Sequence, residues 1–278
     1  MCNPNLLINT DFRNPVNQRG QSSWNTDEYH IDMWVFDEAN WSLTSEGIRV
    51  TEIPEWWTSM YQKLELDGAF FNGKTITISA VIKTESQPKS VRLMLFNTSK
   101  NRSITEKYFD VGDNTTNLLH FSANIPNNAA DKGDAVAFYI TPNSNTDSGG
   151  TIIQAAKLEL GTFSTLANEV VDYATELRKC QRYLQVYGSD IAPATIIGTQ
   201  TLFFMLPTKE DMRVMPSIVS AENLIVRSKK GENQSGFEFS IFSKPPNGIA
   251  VSAKKVGHGL SDATLTSTGK VTLFSAEL

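Results

Sequence analysis

Apolar and polar residues alternate with a period of two along much of the first 160 positions. Ile76, Ile78, Ala80 and Ile82 interleave with Thr75, Thr77, Ser79 and Val81, and Val91, Leu93 and Leu95 interleave with Arg92, Met94 and Phe96. Alternation rich in β-branched and aromatic residues predicts strands with one face in a core. Further strand-like stretches fall at 31–36, 47–53, 61–66, 118–123, 135–141 and 151–160, with turn formers such as Asp67-Gly68, Asn72-Gly73 and Pro126-Asn127-Asn128 between them. Strands at this spacing, with no helical pattern among them, predict an antiparallel jelly-roll β-sandwich over residues 1–162.

The period changes after Gly161. Phe163, Leu166, Val170, Tyr173, Leu177, Cys180, Leu184 and Tyr187 recur at spacings of three and four, which predicts one connecting α-helix over residues 163–188. Ser164 would cap it and Gly188 would stop it. A helix this short is not stable alone, so its stripe must be covered. Two readings fit: the stripe packs on a sheet of its own chain, or it meets copies of itself through Val170, Tyr173, Leu177, Cys180 and Leu184. Strand-like segments resume at 195–206, 217–227, 236–242, 248–256 and 270–278, predicting a smaller C-terminal β domain over residues 189–278. The fold class read from the pattern is therefore mainly β.

Composition narrows the function. Of 278 residues, 40% are hydrophobic and 20% charged, which excludes wholesale disorder. A net charge of -5 lacks the basic footprint of a nucleic-acid partner. No apolar run is long enough to insert in a membrane, and the opening residues carry no basic region followed by an apolar stretch, so no signal peptide is expected. The two cysteines, Cys2 and Cys180, are too few for a disulfide framework or a cysteine zinc site.

Catalytic signatures are missing. His30, His120 and His258 show no metal-ligating spacing, and there is no nucleophile elbow, P-loop or dinucleotide glycine pattern. Carboxylates near the early aromatic residues are the type a polysaccharide depolymerase uses, but solvated strand edges and turns account for them equally. The expectation is a non-enzymatic chain with no cofactor.

The tryptophans are the most uneven feature, since Trp24, Trp34, Trp41, Trp56 and Trp57 all lie in the first 57 residues. Aromatic faces stack on the C–H face of sugars, and polar neighbours fix orientation. Trp34 falls in a strand and reads as core. Trp56 and Trp57 are adjacent, so in extended backbone they point to opposite faces and one is exposed. The candidate ligand-binding set is Trp24, Trp56, Trp57, Tyr61 and Arg19.

Two passages together resemble a known group. Asn5-Leu6-Leu7-Ile8-Asn9 through Asp11-Phe12, then Asn17-Gln18-Arg19-Gly20 and Tyr29-x-x-Asp32-x-Trp34, resemble the opening of phage and prophage tail-fibre or minor structural proteins. Ala156 to Gly161, followed by Glu176-Leu177-x-x-Cys180-Gln181-Arg182-Tyr183, resembles the phrase that closes the same domain, and Met212-Arg213-x-x-Pro216 resembles the small β domain that follows it. Met33 and Leu184 depart from that pattern, where arginine and tyrosine are usual. The resemblance implies a carbohydrate-binding-module-like jelly roll in a phage virion, made in the host cytoplasm. It also implies a homotrimer with the helical stripe at the threefold axis, and bacterial cell-surface glycan and other tail proteins as partners. A purely structural tail or baseplate protein is the alternative. Jelly-roll modules of this kind often hold a structural calcium, for which Asp11 and Glu159 would supply carboxylates.

Overall fold

The computed structural model describes residues 3–25, 28–37, 39–51, 58–85, 89–112, 114–143, 150–188, 191–197, 199–267 and 272–277. The chain divides into two compact units, residues 1–176 and 177–277. Both are built from antiparallel sheets, so the mainly β expectation holds.

The first unit contains β1 (Ser23–Trp24), β2 (Glu28–Ile31), β3 (Trp34–Phe36), β4 (Asn40–Thr44), β5 (Gly47–Thr51), β6 (Met60–Lys63), β7 (Thr75–Thr84), β8 (Lys89–Asn97), β9 (Arg102–Val111), β10 (Thr116–Asn124), β11 (Val136–Asn143) and β12 (Thr151–Leu160). They form two six-stranded sheets, ordered β1-β4-β5-β12-β7-β10 and β2-β3-β6-β11-β8-β9. From β9 onward the chain changes sheet at every strand, as a jelly roll requires. The core lies between the inner faces. Ile76, Ile78, Ala80 and Ile82 of β7 and Val91, Leu93 and Leu95 of β8 are fully buried there. These are the residues the alternation assigns inward.

Residues 5–12 extend this sandwich. Leu6 N donates to Leu158 O, and Phe12 N donates to Gln154 O. Asn9 sits at φ 59° and ties the segment down. Its amide donates to Val16 O and Asp32 O, and its Oδ1 accepts from Val16 N. Trp34 Nε1 donates to Asn9 O at 2.9 Å, and Gln18 donates to both Asp32 oxygens. The segment from Asn5 to Trp34 is thus tied by a network of buried and half-buried polar contacts.

The expected helix over 163–188 is shorter, α1 (Tyr173–Gln181). Residues 161–169 instead lie as a strap over the outer face of β12 and β7. Thr77 Oγ1 donates to Gly161 O, Ser79 Oγ donates to Ser164 Oγ, and Thr165 N and Oγ1 donate to Glu159. Lys157, fully buried beneath the strap, meets Glu169 at 3.1 Å. These long-range bonds replace helical ones. Asp172, not Ser164, starts the helix by accepting from Thr175 N. The helix ends in tight turns, Arg182 N to Lys179 O and Tyr183 N to Cys180 O, and the chain enters a strand. The stripe does not run down one helix: Val170 precedes it and is 93% exposed, Tyr173 is 44% exposed, and Cys180 and Leu184 are buried within the chain.

The second unit contains β13 (Leu184–Tyr187), β14 (Ala192–Ile197), β15 (Thr201–Pro207), β16 (Ser217–Ile218), β17 (Leu224–Ser228), β18 (Asn233–Gln234), β19 (Glu238–Ser243), β20 (Gly248–Lys254), β21 (Ala263–Ser267) and β22 (Thr272–Ser275). The order is β13-β22-β16 in one sheet and β18-β17-β21-β14-β15-β20-β19 in the other. Leu202, Phe204, Ile249, Val251, Leu265 and Phe274 anchor its core, which also takes Met212.

Candidate functional site

The outer face of the second sheet of the sandwich carries the candidate site. The register places Tyr139 of β11 opposite Tyr61 of β6 and Met94 of β8. Val35 lies beyond Tyr61, and Tyr29 beyond Val35. Glu106 lies beyond Met94. Facing residues in a pleated sheet share one side, so Tyr29, Val35, Tyr61, Tyr139, Met94 and Glu106 form one row across six strands. Their neighbours along each strand, such as Phe138, Ile140, Leu93 and Leu95, are fully buried on the opposite face.

Three rings meet at the centre. Tyr61 and Tyr139 are stacked with centroids 4.7 Å apart and 17° between planes, and Phe96 meets Tyr139 edge-on at 5.7 Å. Burial, then the neighbouring Tyr61 and Asp37, push the Tyr139 phenol up to about 12, so it stays protonated and can donate a hydrogen bond.

A second row adds polar groups. Arg92 of β8 lies opposite Thr141 and Tyr108, with its guanidinium 5.7 Å from the Tyr108 ring centre and 3.6 Å from Glu106. The Thr141 and Ser59 hydroxyls are bonded at 2.9 Å, and Ser59 N donates to Asp37 Oδ2. Tyr108 is 48% exposed at the rim. Val35, Met94, Ser59 and Thr141 are buried on this face, whereas Tyr61, Tyr139, Phe96 and Arg92 are half-buried and Tyr108 and Glu106 exposed. Aromatic edges beside charged groups match the alternating C–H and O–H groups of a sugar chain. Nothing in this set pairs a nucleophile with a base. Among the described residues, no three His, Cys, Asp or Glu side chains group to hold a metal ion.

The residues predicted for this role are scattered. Tyr61 is central to the face. Arg19 lies at its far end, 5.7 Å from the Tyr29 ring centre and 3.6 Å from Asp32. Trp24, expected at the surface, is 6% exposed. Its register with Trp41 turns both indoles inward, where Trp24 stacks on His30 and meets Phe36 edge-on. Trp56 and Trp57 lie outside the described residues. The calcium candidates have separate partners: Asp11 pairs with Arg13 at 2.9 Å, and both Glu159 oxygens accept from Thr165.

No family model matches the sequence, and no curated protein matches it. Solved β-sandwiches resemble it. A CBM4 structure aligns over 55% of this chain and 98% of its own, at 16% identity and a TM-score of 0.38. A CBM22-1 xylan-binding domain of Xyn10C from Paenibacillus barcinonensis aligns over 59% of this chain and 98% of its own, at 12% identity and a TM-score of 0.37. The enzymatically active domain of bacteriophage CBA120 tailspike protein 4 aligns over 55% of this chain, at 9% identity and a TM-score of 0.35, and this chain covers 23% of that domain. None of the three fixes what this chain binds.

Sequence reasoning missed Tyr139, Arg92, Met94, Phe96 and Tyr108 as site residues. One signal was present: Phe96, in the outward half of the β8 alternation, is large, apolar and half-exposed where water would favour a polar residue.

Proposed function

We propose that the chain is a non-enzymatic glycan-binding protein, and that the glycan lies across the outer face of β6, β11 and β8. The observation that carries this reading is the Tyr61–Tyr139 stack, edged by Phe96, with all three rings half-exposed on the outer sheet face. Partly exposed rings ordered by one another need little further ordering on binding, which limits the entropic cost. The hydroxyls of Tyr139 and Tyr108, with Arg92, would orient the sugar.

The phrases shared with tail-fibre proteins support a finer assignment, a phage virion component that meets bacterial surface glycan. Self-association, as a trimer in that setting, would then use the exposed Val170 and Tyr173 with Leu177, since Cys180 and Leu184 are already buried. Weak single-site binding would be strengthened by several copies. A glycan array probed with the intact chain and with Tyr139→Ala tests the binding claim. Signals on bacterial glycans that the substitution removes support it, and an array blank for the intact chain overturns it.

A further inference from the structure

The second unit holds an open surface cavity, lined mostly by exposed residues, that the proposed glycan face does not use. It has a volume of about 470 Å³ and lies where β15, β19 and β20 end. Its lining includes Gln200, Thr201, Gly236, Glu238, Lys254 and Lys255. An open cavity of this order can take one sugar unit of a longer chain.

The lining is chemically mixed and held in place. Lys254 lies directly opposite Glu238 on β19 and opposite Thr201 on β15. Lys254 and Glu238 thus place a cation and an anion side by side at the exposed wall of the cavity. Lys255 is fixed at the wall: its Nζ donates to Ser235 O at 2.7 Å and lies 5.5 Å from the Phe237 ring centre. One ammonium can donate three hydrogen bonds, so Lys255 retains donors. Gly236 turns the chain at φ 77°, and a side chain there would meet nothing within 4 Å. This open glycine joins the cavity to a neighbouring depression of about 400 Å³ that Phe237 and Phe239 line.

We propose that this cavity binds a carboxylated sugar, a uronic acid unit of an acidic polysaccharide. The two lysines outnumber Glu238, so the site favours an anion. Lys254 and Lys255 would take the sugar carboxylate. Glu238 and Gln200 would take ring hydroxyls, each of which both donates and accepts. Phe237, beneath Lys255, would offer an apolar edge to the ring. A neutral sugar leaves the two ammonium groups without their counter-charge, which sets the preference.

The test is a titration of the full chain with sodium glucuronate, glucose and sodium acetate in separate arms. It is followed through the backbone amide of Gly236 and the side-chain amide of Gln200 by nuclear magnetic resonance. Glucuronate should give saturable shifts at both, with glucose and acetate each weaker by about tenfold or more. Lys254→Gln combined with Lys255→Gln should weaken glucuronate by about the same factor while the melting temperature stays put. Tyr139→Ala should leave the response unchanged, which separates this site from the face on the first unit. Absence of a saturable shift, equal affinity for glucose, equal affinity for acetate, or an undiminished response in the lysine variant each overturns the proposal.

Discussion

Tyr61 and Tyr139 face each other across β6 and β11, and their rings lie 4.7 Å apart and nearly parallel. Neither strand is adjacent to the other in sequence, so the pair forms only when the sandwich closes. Aromatic pairs add about 0.5–1.5 kcal/mol beyond their buried area. A double-mutant cycle of Tyr61→Ala and Tyr139→Ala in urea should give a coupling energy in that range. Independent, additive losses would mean that the stack contributes nothing to folding.

The outer face of the other sheet carries an ion pair with a defined pH response. Arg49 binds Glu85 through Nε and Nη2, at 2.9 and 2.7 Å, and Gly150 N donates to the same carboxylate. The Arg49 hydrogen bond, working against partial burial, holds the Glu85 carboxyl below the usual range. A lowered folded value stabilises the fold above the unfolded value near about 4.3, and that gain disappears as pH falls through the folded value. Both groups are about a third exposed, so screening holds the gain to about 1 kcal/mol or less. Glu85→Gln should therefore lower the melting temperature at pH 7, and the difference from the native chain should vanish in strong acid. A gap that widens toward acid would contradict this.

Beneath the strap, Lys157 is fully buried and pairs with Glu169 at 3.1 Å and with Glu159 at 3.9 Å. Removing one member of a buried pair strands the other charge, at a cost of about 3–5 kcal/mol. Lys157→Met should lower stability by that amount in chemical denaturation. Adding Glu169→Gln should recover part of it.

Much of the sandwich was legible because alternation reports directly on two-sided strands: the inward residues of β7 and β8 are those the pattern assigns. The two-residue β1 is too short to alternate, so the inward turn of Trp24 depends on its pairing with Trp41, a contact 17 positions away. The helix was overread because spacings of three and four also occur through residues 161–169, where bonds to β7 and β12 decide the backbone instead. The neighbouring tryptophans mark Tyr61 in the sequence, but its partner in the fold, Tyr139, lies 78 positions on. Local pattern gives which face a residue takes, whereas strand order decides which faces meet.

The Asn5–Trp34 segment acts as scaffold. Asn9 adopts a left-handed backbone that asparagine tolerates and makes three side-chain hydrogen bonds at 2.7–2.8 Å. Asn9→Ala loses all three and strains the backbone, and should cost about 2–4 kcal/mol. Urea unfolding checks this, and a loss below about 1 kcal/mol would show that the network is not needed.

Affinity electrophoresis of the full chain tests the binding face most directly, in gels containing xylan, β-glucan or bacterial wall polysaccharide. The native chain should be retarded in at least one gel of a neutral, uronate-free glycan, and Tyr139→Ala should abolish that retardation in a variant that still unfolds cooperatively. A Tyr139→Ala chain retarded as strongly as the native one, or a native chain that runs freely through every such gel, would contradict this.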